Sequence, residues 1–149
     1  MYKYILGFFM LVFMLPATAD NGLVTIKSAN DVAATTDKLV NALKGKGMTV
    51  FDVIDHAKGA SGVGIDLPPT TLVIFGNPKV GTPLMKCSRS AAIDLPQKML
   101  IWSDESGQTW LAYNDPVYMA KRHNVSGCDE TIKKITGALA KFSSVATAP

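Results

Sequence analysis

Histidine and cysteine are scarce in this sequence: two of each in 149 residues, at His56, His123, Cys87 and Cys128. No CxxC, HxxxH or Met-x-x-Met pair occurs. A dedicated zinc or copper site therefore lacks the closely spaced ligands that usually announce one. The serines Ser88, Ser90 and Ser103 carry no G-x-S-x-G elbow. "GNPKVG" at 76–81 lacks the G-K-[ST] ending of a phosphate loop, and its proline removes a donor N–H. Gly59, Gly62 and Gly64 do not lead from a strand into a helix as a nucleotide-binding turn would. Charge is nearly balanced, with 15 Lys and Arg against 12 Asp and Glu, and no basic cluster stands out. A nucleic-acid partner needs a concentrated Lys/Arg face, so none is expected. There is no internal repeat and no low-complexity tract.

The longest apolar run is Ile5–Leu15, short of the ~20 residues of a comfortable membrane span. One charge, Lys3, precedes it; Pro16 breaks it; Ala17-Thr18-Ala19 follows. That order is a secretory signal with a cleavage site after Ala19. The reading gives residues 1–19 as a cleaved signal peptide and 20–149 as one domain in the periplasm or outside the cell. No stable membrane insertion is expected after cleavage; a retained anchor is the alternative. In an exported chain Cys87 and Cys128 could pair. A loop of about 40 residues closed in this way is worth roughly 4 kcal/mol in the chain-entropy model. Two unrelated thiols is the other reading, since spacing does not supply geometry.

Periodicity orders the remainder. "GLVTIKS" alternates as a strand, and "SANDVAATTDKLVNALKGKG" carries a helical stripe of Val32, Leu39, Val40 and Leu43, capped by Asn30 or Ser28. "MTVFDVIDHA" and "TTLVIFG" read as strands, the second apolar enough to be central. "KMLIWSDESGQTWLAYND" reads as a hairpin with Trp102 and Trp110 near its tip. Asp115-Pro116 reads as an N-cap and first helical residue of a short helix ending near His123. "SGCDETIKKITGALAKF" reads as a final helix over about 128–142, with Ile132, Ile135, Leu139 and Phe142 as its stripe and a frayed tail beyond. The order strand, helix, four strands, helix predicts an α+β domain with a mainly antiparallel sheet and helices packed on one face.

The blocks "VIDHA", "LPPTTLVIFGNPKVGTPLM", "AAIDLPQKMLIW" and "WLAYNDP" occur in that order. Together they resemble the bacterial family known as domain of unknown function 302, over about residues 23–125, with "FGNP…GTPLM" the specific part. The resemblance implies a TATA-binding-protein-like α+β fold. It brings no established activity, no cofactor and no catalytic residue, and Cys87 and Cys128 are not part of its signature.

Candidate chemistry then rests on a few side chains. In the loop after the central strand, exposed N–H groups beside Lys79 and Thr82 could hold an anion, Asn77 shapes the turn, and Met85 supplies an apolar wall. Pro83 is read as opening a short helix there. A ligand pocket is expected between sheet and helices, with this loop and His56 at its mouth. The favoured reading is a non-enzymatic module that binds or senses a small, partly apolar molecule. The alternatives are an enzyme using His56 as acid/base and a soft-metal or redox accessory protein using Met85 and Cys87. A homodimer is compatible with so small a domain.

Overall fold

A computed structural model describes residues 21–149. The signal-peptide reading and its cleavage site lie outside the described residues. Five strands form one fully antiparallel sheet. They are β1 (Leu23–Lys27), β2 (Thr49–Asp55), β3 (Thr70–Gly76), β4 (Gln97–Ser103) and β5 (Thr109–Asn114), in the spatial order β1-β5-β4-β3-β2. β1 and β2 are thus opposite edges, and α1 (Val32–Gly45) crosses the whole sheet to join them. The apolar strand "TTLVIFG" is interior, paired with β2 and β4, as its composition predicts. Domain class, antiparallel sheet and helices on one face all agree with the sequence reading.

Strand alternation sends Val73 and Phe75, Met99 and Ile101, and Leu111 and Tyr113 to one face, where all six are buried. Leu39 and Leu43 of α1 and Ile135, Leu139 and Phe142 of α5 (Asp129–Thr147) close over them. Phe75 and Phe142 meet edge to face, ring centroids 6.3 Å apart, an arrangement that favours aromatic pairs. On the opposite face Leu72, Ile74, Leu100, Trp102 and Trp110 are half-buried.

Three local expectations are corrected. The cap of α1 is Asp31, whose carboxylate accepts from Ala34 N at 2.7 Å. Asn30 is engaged elsewhere: its Nδ2 donates to the Ala148 carbonyl at 2.7 Å and its Oδ1 accepts from Lys38 Nζ at 3.0 Å. That grip also explains the second correction. α5 is not frayed beyond Phe142 but continues to Thr147, with Ser143, Ala146 and Thr147 buried and Ala29 N donating to the Thr147 carbonyl. α5 starts at Asp129 with no side-chain cap hydrogen bond among the described residues. The third concerns the loop after β3. It is helical from Pro78, not from Pro83: α3 runs Pro78–Cys87 and carries Pro83 inside it. Asn77 caps it, accepting from Lys79 N at 2.9 Å, and Pro78 occupies the first turn, where its missing N–H costs nothing.

The remaining helices are α2 (His56–Ser61) and α4 (Pro116–Arg122), with a 3-10 turn at Arg89–Asp94. α4 starts as expected, Asp115 accepting from Val117 N. Cys87 at the end of α3 and Cys128 before α5 sit at disulfide distance, their Cα atoms 6.3 Å apart. No helix among the described residues is long and apolar enough to cross a membrane.

Candidate apolar cavity at the end of the sheet

Where β3 ends and β4 begins, the helical layer does not close completely. A cavity of about 300 Å³ lies there, between the sheet end, α3, the 3-10 turn and α5. Its floor is Phe75, and Ile135, Leu139 and Phe142 of α5 form one wall. Pro78, Val80 and Met85 of α3 face them, and Leu95 and Pro96 complete the ring. Asn77, Thr82 and Gln97 are its polar lining; among the described residues no charged side chain takes part.

Two backbone features shape the opening. β2 carries an irregularity between Val50 and Asp52 that leaves Phe51 as the extra residue. A bulge of this kind re-aims a side chain, and the Phe51 ring, 55% exposed, borders the cavity. It lies over Gly76: a Cβ there would stand 3.2 Å from Phe51 Cε2. Glycine at this strand end is therefore a matter of space for the ring rather than of backbone conformation.

Gln97 is the polar residue out of place. It sits opposite Phe75 in the β3–β4 register, two residues before buried Met99, so alternation turns it toward the helices. Its Nε2 is buried and has no hydrogen-bond partner among the described residues. A buried donor left unmade costs about 1–3 kcal/mol.

Of the site residues expected from sequence, Asn77, Thr82 and Met85 line the cavity and Lys79 and His56 do not. Asn77 makes two hydrogen bonds within the fold, its Oδ1 capping α3 and its Nδ2 donating to the Gly47 carbonyl at 3.2 Å. Lys79 is exposed on the first turn of α3. His56 is exposed at the start of α2, following Asp55, which pairs with Thr71 at the beginning of β3. The cavity opens at the other end of β3, five residues or roughly 17 Å along the strand. An antiparallel partner ends where its neighbour begins, which puts His56 and Gly76 at opposite ends of the sheet. Among the described residues no three His, Cys, Asp or Glu side chains are grouped to hold a metal ion.

Sequence reasoning missed Phe51, Gln97 and the α5 wall. Gln97 left a legible signal: "QKMLI" places Gln97, Met99 and Ile101 on one face of a strand. It also missed a polar cluster beside α3. The His123 ring is 8% exposed, with Nε2 2.6 Å from Asp94 Oδ2 and Nδ1 3.1 Å from Ser90 Oγ. Ser88 Oγ donates to the His123 carbonyl at 2.9 Å. Hydrolytic triads share this order of carboxylate, imidazole and hydroxyl. None of the three lines the cavity, and the cluster's evident work is to fasten the 3-10 turn to the end of α4.

At the hairpin tip, Asp104 accepts from Ser106 N and Oγ, Gln108 N and Trp110 Nε1, all within 3.0 Å. The Ser106 hydroxyl, followed by the Trp110 indole, holds its carboxyl down to about 2. Lys27 Nζ lies 5.3 Å from the Trp110 ring centroid, within cation–π reach. Burial raises the Tyr113 phenol, and the Ser143 hydroxyl works against that rise.

Residues 24–142 match the family described as domain of unknown function DUF302. The match extends past the 23–125 segment expected from the motifs and takes in α5. Among curated proteins, the chain is similar to those named fluoride-specific ion channel FluC 1 of Brucella suis and of Brucella abortus, 44% identical over 128 residues in each. The alignments cover 83% of this chain and 50% and 47% of those proteins. The chain thus spans about half the length of the curated relatives it matches. Its fold is also that of the crystal structure of an uncharacterized conserved protein DUF302 from Bacillus stearothermophilus, with a TM-score of 0.76 at 18% identity over 84% of this chain and 98% of that one. With four-fifths of its length matched, the chain belongs to the DUF302 family.

Proposed function

We propose that this domain is a non-enzymatic module of the bacterial envelope that binds a small, largely apolar molecule in the cavity at the end of the sheet. The observation that carries the reading is the cavity itself: about 300 Å³, walled by apolar side chains, with three polar side chains and no charged one among the described residues. Ligand sites commonly have that character and begin at about that size. It is about twice the volume of the ~150 Å³ cavity known to hold benzene, so it suits one or two rings or a medium-length chain. An oxidising compartment would suit the Cys87–Cys128 pair.

The test uses N-phenyl-1-naphthylamine, an uncharged apolar dye, with the chain expressed as it stands. Saturable fluorescence enhancement at one site is expected, together with a rise in melting temperature. Ala138 lines the cavity from the exposed side of α5, so Ala138→Trp should remove the binding with little change in the unliganded melt. Absence of saturable binding, or binding that Ala138→Trp leaves intact, sinks the reading.

A second reading is favoured by the 44% identity to proteins named fluoride-specific ion channels, of which this fold accounts for half. In it the domain serves as a ligand-sensing attachment beside an ion pathway. Vesicles containing this chain alone should then release fluoride no faster than protein-free vesicles; faster release would point to transport by the chain itself.

A further inference from the structure

We infer that the ligand of this cavity is an anionic single-chain amphiphile, its hydrocarbon chain inside and its charged head held at the mouth by Lys134 and Lys141 of α5 and Lys79 of α3. The inference rests on the binding reading above and adds the chemical class. The first observation is the interior. No charged side chain lines it among the described residues. Carrying a charge into such a lining is costly, so a charged head stays at the mouth. The volume of about 300 Å³ takes a chain of roughly twelve carbons, scaled from benzene in ~150 Å³.

The second observation is the sign of the charge around that mouth. Lining residues that are also exposed mark it: Phe51, Pro78, Val80, Ala92, Pro96 and Ala138. Residues three and four apart share a helix face. Lys134 and Lys141 therefore stand beside Ala138, one turn to either side, and both are exposed. Across the opening, Lys79 is exposed between Pro78 and Val80. Lys46 follows at the end of α1, next to Gly47, whose carbonyl accepts from the Asn77 side chain that caps α3. α3 itself carries no acidic residue. The acidic groups nearby are placed otherwise. Asp94 is engaged by Arg122 and His123. Asp52 and Lys98 flank Ile74 from its two neighbouring strands, on the sheet face away from the helices. Glu130 lies one turn before Lys134, and no ion pair joins them among the described residues. Three helices thus bring lysines to one apolar opening, a setting that suits a hydrocarbon with an anionic end.

The experiment displaces N-phenyl-1-naphthylamine with decyl sulfate and with decyltrimethylammonium, each below its micelle concentration. The two share a chain and differ in the sign of the head. At about 0.02 M salt the wild type should prefer the sulfate roughly tenfold, about what two or three exposed ion pairs supply. At about 0.5 M salt the preference should shrink toward unity. Lys134→Gln combined with Lys141→Gln should remove most of it, with little change in melting temperature. Lys58→Gln combined with Lys121→Gln takes the same net charge from α2 and α4, which do not line the cavity, and should keep the preference. Equal loss in the two double variants, or loss in neither, overturns the role of the mouth lysines. Phosphatidylglycerol vesicles separate a free amphiphile from a bilayer: the chain should stay in the supernatant when they are pelleted. Pelleting with the vesicles, without preference for decyl sulfate, would assign the lysines to a membrane surface and overturn the inference. Dye binding with no preference between the heads overturns it as well and leaves the cavity reading standing. Failure of the dye to bind the wild type removes both readings together.

Discussion

The two ends of strand β4 treat a polar side chain in opposite ways. At its far end Asp104, just beyond Ser103, accepts four hydrogen bonds that lock the hairpin turn. At its near end Gln97 lines an apolar cavity, and its buried Nε2 has no hydrogen-bond partner among the described residues. One end is completed by local sequence, within six residues of Asp104. The other is assembled from β2, β3, α3 and α5, and still leaves a volume open. A corner whose polar groups are answered locally is rigid by itself; a space bounded by distant elements depends on the whole fold.

The sharpest way to break the contrast is to remove the cavity floor. Phe75→Ala should cost about 3–5 kcal/mol in denaturant unfolding, because Phe75 is fully buried against Phe142. A loss under about 1 kcal/mol would mean that the open end contributes little to the core. The next effect is on the tie between α3 and α5. Replacing Cys87 and Cys128 together by serine, or reducing the pair, removes a link across 41 residues. It should cost roughly 2–4 kcal/mol and weaken dye binding, since both walls it joins border the cavity; equal stability with and without reductant would argue against a bond.

The third prediction concerns acid. The Asp104 carboxyl is lowered in the folded chain from 3.8 to about 2, so the fold favours its ionised form. That contribution is present above about pH 4 and is lost as pH falls toward 2. Melting temperature should drop more steeply between pH 4 and 2 in the wild type than in Asp104→Asn; parallel profiles would show the turn to be indifferent to this charge. The smallest effect belongs to His56→Ala. An exposed residue remote from the cavity should change stability by no more than about 0.5 kcal/mol, and dye affinity should stay as it was. Weakened binding would tie His56 to the site after all.

Much of the fold was legible in the sequence because its signals are local. Alternation in "TTLVIFG" and "KMLIW", the Trp-flanked turn, and the Asp115-Pro116 start all act within a few residues. Failures came where distant groups claim a side chain. Asn30 looks like a cap and is instead drawn to Ala148, 118 residues away. The tail of α5 looks frayed by propensity and is held by that same contact. Pro83 reads as a helix start, yet the helix began five residues earlier at a better-placed proline. For the site, Asn77, Thr82 and Met85 could be picked from one contiguous stretch. Its other walls come from α5 and from a bulged edge strand, which no single stretch announces. Ser90 and His123 lie 33 residues apart, and only the fold makes them neighbours.

The clasp between Asn30, Lys38 and the carbonyl of Ala148 also sets a timetable. Asn30 and Ala148 are separated by 118 residues and Lys38 and Ala148 by 110; at translation speeds of about 5–20 residues per second the longer gap is roughly 6–24 s of synthesis. α1 and the edge strand β1 are made early, but α5, which shields them, is made last. Throughout that interval the apolar side of α1 and an unpaired strand edge are open to wrong partners. The nascent chain should therefore depend on being kept unfolded or escorted until α5 is available, and the fold should form as one late event rather than element by element.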